Sequence, residues 1–221
     1  MKTIFWNVDT QYDFMRDDDS FKGALPVPGA REIESKLEKL TKYARARDVQ
    51  IVNTADWHTE KSRELSDKPD FKTTFPQHCM ANTPGADYVP ATAPIDPLVV
   101  DWNMDVMCLY AFPGADKMYF ERVAASKEIV IRKDDFDVFK GAPYADRIVK
   151  SIRPDRAVVY GVATNVCVDY AVRGLLERGV EVYVATDAIK ELHGIPLEPV
   201  LAAWKEKGAK LVTVDDIVGG D

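Results

Sequence analysis

The chain has 221 residues, of which 46% are hydrophobic and 29% are charged. This composition is typical of a globular protein and excludes the disordered, collagen-like and disulfide-rich classes. The formal net charge of −7 disfavours binding to a nucleic-acid backbone. The apolar runs are too short to cross a bilayer, and the first residues lack the apolar core of a signal peptide. We therefore expect a cytoplasmic protein that binds neither nucleic acid nor membranes.

The predicted elements alternate between strands and helices. The first, Thr3–Val8, is short and almost entirely apolar, which is typical of a strand buried on both faces. The remaining predicted strands are 49–55, 129–132, 156–161, 180–185 and 210–214, and the predicted helices are 28–47, 143–151, 164–178 and 196–207. Thr164 is the expected N-cap of the third helix and Gly179 follows its end. The alternation predicts an α/β fold: a three-layer, doubly wound, mostly parallel sheet of about six strands with helices on both faces.

The segment at about 60–126 differs from the rest of the chain. It has no clear periodicity and is rich in proline and turn residues. We expect a single domain over residues 1–221, with this segment as a long irregular insert. Such an insert is usually functional, for example as a lid or as a contact between subunits.

Polar residues follow several predicted strands. Asp9 comes after the first strand, Asp56 after the second and Lys133 after the third, and the fourth is followed by the segment 161–167. Ligands of open parallel sheets bind outside the carboxyl ends of the strands. The sequence therefore predicts an active site at this edge.

Cys167 is the candidate nucleophile among the three cysteines. It lies in the first turn of a predicted helix, where the helix dipole lowers the pKa of a thiol and free N–H groups can bind an oxyanion. Lys133 would favour the thiolate and Asp9 could carry its proton. The simpler interpretation is a packed core cysteine. Cys79 and Cys108 receive no role, because so few cysteines do not indicate a disulfide framework.

A second group of residues has the chemistry of a metal site. Asp56 and His58 are two residues apart, so in extended chain their side chains point to the same side. His78 follows twenty residues later. One carboxylate and two imidazoles suit a divalent ion, with zinc first and iron or manganese as alternatives. His193 is interpreted as a turn residue.

Four stretches of the chain, in order, carry a family resemblance. They resemble the isochorismatase-like cysteine hydrolases, and within them the nicotinamidase/pyrazinamidase group. The stretches are VDTQYDF (8–14), ADWH (55–58), FPQHCMANTPGA (75–86) and GVATNVCVDYAV (161–172), the last followed by TDA (186–188).

The resemblance implies an activity and a set of roles. The activity is hydrolysis of nicotinamide to nicotinate and ammonia through a thioester, by a homo-oligomer holding one divalent ion. The implied catalytic triad is Asp9, Lys133 and Cys167. The implied metal ligands are Asp56, His58 and His78. The implied oxyanion hole is the backbone N–H groups of Ala163 and Cys167, after a cis peptide at Val162–Ala163, and the implied ring-binding residues are Phe14 and Trp57.

The chain departs from the nicotinamidase pattern at two places. About 45 residues separate the TPGA stretch (83–86) from Lys133, which is a longer gap than expected. Lys133 is followed by Asp134 and Asp135, where nicotinamidases commonly have Gly-Thr. The alternatives are an amidohydrolase acting on an N-carbamoyl or ureido substrate, an isochorismatase, or a non-catalytic relative that binds a partner. An isochorismatase uses no cysteine nucleophile, so Cys167 argues against it.

Overall fold

The computed structural model describes residues 1–104 and 109–219, so Cys108 lies outside the described residues. The strands run as short extended segments between helices and turns. They are β1 (Thr3–Val8), β2 (Asp17–Asp18), β3 (Phe21–Lys22), β4 (Ile51–Asp56), β5 (Leu98–Val100), β6 (Glu128–Lys133), β7 (Arg156–Val162), β8 (Glu181–Lys190) and β9 (Lys210–Val212).

Seven of these strands form one sheet in the order β5-β6-β4-β1-β7-β8-β9, and β2 pairs with β3 separately. Every neighbouring pair in the large sheet is parallel. The chain builds outward from β1 to one side and then returns to add β7 on the other side. The sheet therefore has its topological switch point between β1 and β7, where the carboxyl ends of strands form a crevice.

Helices cover both faces of the sheet and complete three layers, which confirms the predicted α/β fold. The α-helices are α1 (Tyr12–Met15), α2 (Glu34–Ala46), α3 (Ala115–Ala125), α4 (Val138–Gly141), α5 (Ala145–Ile152), α6 (Cys167–Glu177), α7 (Glu198–Glu206) and α8 (Val214–Val218), and Ala30–Ile33 and Pro84–Ala86 are 3₁₀ turns. The central strands are buried because both faces are covered. Among the described residues, no helix combines the length and apolar character needed to cross a membrane.

The helix that carries Cys167 starts later than predicted. Thr164 was the expected N-cap, but α6 begins at Cys167 and its N-cap is Val166. The N–H of Thr164 donates to the carbonyl of Lys190 at 2.8 Å, so Thr164 still belongs to the β7–β8 edge. Cys167 is consequently the first helical residue.

The segment at 60–126 contains more regular structure than its sequence pattern suggested. β5 adds a seventh strand at the edge of the sheet, beside β6, and α3 packs against α5. Most of the remainder consists of turns, and it carries His78. This segment thus contributes both to the sheet edge and to the predicted metal group.

Candidate active site

Lys133 is the centre of a buried charge cluster at the carboxyl edge of the sheet. It ends β6 in direct register with Asp56, which ends β4, and both side chains are buried. The Lys133 ammonium donates to Asp56 Oδ1. It also lies 3.0 Å from Asp9 Oδ2 and 3.8 Å from Cys167 Sγ. One cation therefore contacts two carboxylates and a thiol.

Asp9 is held in this cluster by an unusual backbone and by Thr54. Its φ of 48° lies in the left-handed region, which non-glycine residues rarely adopt and which is commoner at functional sites. The Thr54 hydroxyl donates to Asp9 Oδ1 at 2.6 Å. Burial raises the pKa of Asp9, and the Lys133 ammonium offsets only part of that rise. A carboxylate oxygen of Asp9 lies within 4.8 Å of Cys167 Sγ, so this group is placed to exchange a proton there.

Cys167 combines a helix N-terminus with nearly complete burial. The dipole argument predicted a lowered thiol pKa, but burial raises the pKa of Cys167 well above its ordinary value, although Lys133 opposes the rise. The prediction of a lowered pKa is wrong because the dipole argument left out desolvation and the nearby carboxylates. The thiol is therefore protonated at neutral pH and needs a base to become a nucleophile.

Gly161 allows the strand before this segment to approach β1. Its φ is 117°, and a Cβ there would lie 2.1 Å from the carbonyl oxygen of Val8. Only glycine fits so close an approach with that backbone. The peptide Val162–Ala163 that follows is cis, as the family resemblance implied. Gly161 thus lets β7 deliver Cys167 beside the end of β1.

A second cluster, directly beside the first, gathers four possible metal ligands. Asp56, His58 and His78 meet as predicted, and Glu64 joins them. Glu64 Oε1 is 3.3 Å from His58 Nε2 and 3.4 Å from His78 Nε2. Asp56 Oδ2 is 3.9 Å and 3.6 Å from the same two nitrogens. Ligand atoms around a tetrahedral zinc with bonds of ~2.0–2.2 Å are about 3.3–3.6 Å apart. Three of the four spacings match one small divalent ion, and the fourth, at 3.9 Å, is slightly longer.

Both imidazoles are oriented through their second nitrogen. His78 Nδ1 is 2.7 Å from the carbonyl of Pro76, and His58 Nδ1 is 3.2 Å from Asp134 Oδ1. Hydrogen bonds at Nδ1 leave the Nε2 lone pairs directed at the common centre. His58 Nε2 is buried and has no hydrogen-bond partner among the described residues. A metal ion would satisfy it.

The electrostatics of the cluster also favour a cation. Burial opposes protonation of His58, but the carboxylates of Asp134, Asp56 and Glu64 outweigh it and raise the pKa of His58 to about 11. Buried carboxylates are stable only when they are paired or coordinate metals. A divalent ion between two carboxylates and two neutral imidazoles meets that requirement, so the residues present fit a bound metal.

A small pocket opens above both clusters. Its floor carries the thiol and part of the metal group, whereas its walls are apolar. Phe14 lies in the wall as predicted, with its ring 5.2 Å from that of His78. The other apolar lining residues are Leu25, Val27, Phe75, Phe136, Ala163, Val166 and Leu192.

Trp57 does not line this pocket, in contrast to the prediction. Asp56 and His58 point toward the metal group, so the residue between them faces the other side of the extended chain. There the Arg132 guanidinium lies 3.5 Å above the Trp57 ring, and the Trp57 carbonyl accepts a hydrogen bond from Trp102. Trp57 therefore packs beside the sheet, and Phe75 supplies the additional aromatic wall.

Comparisons with known proteins support the family resemblance. Residues 116–216 match the isochorismatase domain model. The nicotinamidase/pyrazinamidase of Mycobacterium tuberculosis is 29% identical over 203 residues, covering 89% of this chain and 97% of the relative. The nicotinamidase of Escherichia coli is 23% identical, covering 95% and 93%. By these matches the chain is similar to the isochorismatase-like hydrolases, and to the nicotinamidases among them. A crystal structure of the Pyrococcus horikoshii pyrazinamidase in complex with zinc has a TM-score of 0.71 and 25% identity, covering 96% of this chain and 99% of that one.

Two acidic residues of this candidate site were missed by sequence reasoning. Glu64 lies in an aperiodic loop, and nothing in the local sequence pattern distinguishes it from the acidic residues around it. Asp134 was noticed only as a departure from the family pattern. The signal available in the sequence was a predicted set of only three metal ligands with additional acidic residues close to them along the chain. His193 is exposed in a turn, as predicted, and Cys79 is buried behind His78.

Proposed function

We propose that this protein is a metal-containing amidase that hydrolyses nicotinamide to nicotinate and ammonia through a cysteine thioester. The observation that carries the proposal is the contact cluster of Asp9, Lys133 and Cys167 directly beside a four-residue metal group. An acid–base residue, a fixed cation and a nucleophile meet at one point under an apolar pocket. That combination has the parts needed for nucleophilic acyl transfer.

The catalytic steps are assigned to this chain's own residues. Asp9 accepts the thiol proton of Cys167, and the sulfur then bonds to the amide carbon. The backbone N–H groups of Ala163 and Cys167 hold the oxyanion, and each such donor contributes about 3 kcal/mol. Asp9 gives its proton to the departing nitrogen, which leaves as ammonia. Asp9 next takes a proton from water as the water oxygen attacks the thioester, and the thiol is regenerated. Lys133 stays charged throughout, because the Asp56 and Asp9 carboxylates overcome burial and raise its pKa.

The metal is assigned to four side chains of the second cluster, with zinc as the first choice and iron or manganese as alternatives. Asp56, His58, Glu64 and His78 would hold it. When bound, the ion would supply a Lewis acid that attracts the ring nitrogen of a pyridine substrate and helps to orient its carboxamide.

The pocket favours a flat, neutral amide. Its walls are mostly phenylalanine and aliphatic side chains, and none of its described lining residues is a lysine or an arginine. An N-carbamoyl amino acid or a ureido acid carries a carboxylate that would need a cation or several donors in the pocket. An aromatic carboxamide has no such requirement. The apolar walls therefore favour nicotinamide over the alternative substrates.

The decisive experiment is ammonia release from a small panel of substrates by the zinc-loaded protein. The panel holds nicotinamide, pyrazinamide, an N-carbamoyl amino acid and a ureido acid. We expect turnover of the first two and none of the acids, and no turnover by Cys167→Ala. Preferred turnover of a carbamoyl substrate would replace the substrate assignment. Undiminished turnover by Cys167→Ala would refute the cysteine mechanism.

Three further expectations from the sequence remain proposals, and the oligomeric state among them rests on the family resemblance. We propose that residues 1–221 act as one catalytic domain, in the cytoplasm, as a homo-oligomer. Ile95, Val99, Tyr110, Phe112 and Met118 are exposed apolar side chains within the segment suggested as a subunit contact. Light scattering after size-exclusion chromatography measures the oligomeric state directly, and a monomer at micromolar concentration would contradict that part.

A further inference from the structure

Asp134 lies between the end of β6 and the second cluster of the site, and it belongs to neither cluster. It follows Lys133 directly, and its backbone N–H donates to the carbonyl of Gly141 at 3.1 Å, which fixes the chain just beyond β6. Its side chain is 21% exposed, so it is substantially buried. One oxygen, Oδ1, meets both His58 Nδ1 and the hydroxyl of Ser62.

The first of these contacts acts on a metal ligand. With the Nδ1 proton of His58 donated to Asp134, the imidazole presents Nε2 as the lone-pair nitrogen. That nitrogen lies 3.3 Å from Glu64 Oε1, inside the group of four ligands. A carboxylate at Nδ1 also makes the imidazole a stronger ligand. His78 uses the backbone carbonyl of Pro76 instead, so only one of the two imidazoles has a carboxylate behind it.

The second contact acts on the loop that carries another ligand. Ser62 is buried; its hydroxyl donates to Asp134 and accepts from the N–H of Thr59 at 2.9 Å. Glu64 is two residues further along this loop. The hydroxyl therefore ties the short turn that presents Glu64 to the end of β6, and Asp134 supplies the fixed point.

We propose that Asp134 is a positioning residue that raises metal affinity by orienting His58 directly and Glu64 through Ser62. The inference rests on the metal centre of the proposed function and adds this chain's own support for it. Supporting carboxylates of this kind typically change metal affinity ~10–100-fold. Asp134 acts through His58 and Ser62 and need not contact the metal or the substrate.

The test is the zinc affinity of purified apoprotein, measured by competition with a fluorescent zinc chelator. Asp134→Ala removes both contacts, and Asp134→Asn keeps the shape but removes the charge. Asp135→Asn is the matched control, because it removes the same charge one residue away and Asp135 contacts only the backbone N–H of Asp137 in the hydrogen bonds described. Thermal unfolding of each apoprotein reports any general loss of structure.

We expect Asp134→Ala to weaken zinc binding ~10–100-fold, Asp134→Asn to weaken it less, and Asp135→Asn to leave it unchanged. The apoproteins should unfold near the wild-type temperature, and excess zinc should restore the activity of both Asp134 variants. If Asp134→Ala does not fold, the inference is decided by comparing the zinc affinity of Asp134→Asn with that of Asp135→Asn. Wild-type zinc affinity in the Asp134 variants overturns the inference, provided that His58→Ala has lost zinc. Wild-type affinity in His58→Ala as well overturns the metal centre itself.

Discussion

Replacing Thr54 by valine isolates one hydrogen bond to the proposed general base. Thr54 is 1% exposed on β4, and its hydroxyl donates to Asp9 Oδ1 at 2.6 Å. The bond stabilises the ionised carboxylate, so its loss raises the pKa of Asp9 further. A hydrogen bond to a charged group contributes about 1.5–3 kcal/mol. At 1.36 kcal/mol per pKa unit, the expected rise is about 1–2 units.

The sign of the change in activity follows from the role of Asp9. Only ionised Asp9 accepts the thiol proton, so kcat/KM falls as the pH drops through the Asp9 pKa. Because burial already raises that pKa, the wild-type acid limb should lie above the range of an ordinary aspartate. In Thr54→Val the limb should move upward by about 1–2 pH units. Activity well above the limb should change much less.

The assay is the pH dependence of kcat/KM for nicotinamide with saturating zinc. Thr41→Val is a suitable control, because Thr41 is also buried and donates to the carbonyl of Leu37 on a helix, outside the site. It should leave the acid limb in place. A folded Thr54→Val enzyme with an unshifted acid limb would refute the assignment of Asp9 as the base.

The remaining predictions concern four residues of the site. Cys167→Ala should release no ammonia above background yet bind zinc with wild-type affinity; loss of zinc there would show that the thiol is a ligand. His58→Ala should purify without stoichiometric metal, and unchanged metal content by mass spectrometry would remove it from the ligand set. Lys133→Met leaves two buried carboxylates without their cation, so the free energy of unfolding should fall by about 3–5 kcal/mol in denaturant titration; a change below about 1 kcal/mol would contradict the pairing. Gly161→Ala should lower the melting temperature by several degrees, because its Cβ meets the backbone of β1, and an unchanged melting temperature would contradict that clash.

The fold could be predicted from the sequence because its strands are nearly continuous apolar runs. Such runs are typical of strands covered on both faces, and parallel strands place their carboxyl ends at one edge. Asp9, Asp56 and Lys133 each follow or end such a run, so their convergence was accessible before any coordinates. In the structure, the parallel register of β4 and β6 places Asp56 directly beside Lys133, in line with that expectation.

The rest was inaccessible for reasons that differ from residue to residue. β5 has only three residues and depends on its neighbour β6 for definition. Glu64 reaches the metal group through a loop whose path is set by tertiary contacts. The prediction of Thr164 as the N-cap was wrong. The Thr164 N–H donates to the carbonyl of Lys190, and the helix begins only at Cys167. The pKa of Cys167 was misjudged because a helix dipole can be inferred from sequence, whereas the depth of burial cannot.

The two clusters are best understood as one electrostatic unit. Lys133 contacts both Asp9 and Asp56, so a single ammonium is shared between the proposed base and a proposed metal ligand. With Glu64, this makes three buried carboxylates around one lysine, an arrangement that burial alone would make strongly unfavourable. In the proposed metal centre, a divalent ion coordinated by Asp56 and Glu64 would bring the formal charge of the unit to zero. Asp56 would then share its charge with the ion, so the carboxylate proposed as a metal ligand would also set how strongly Lys133 holds Asp9.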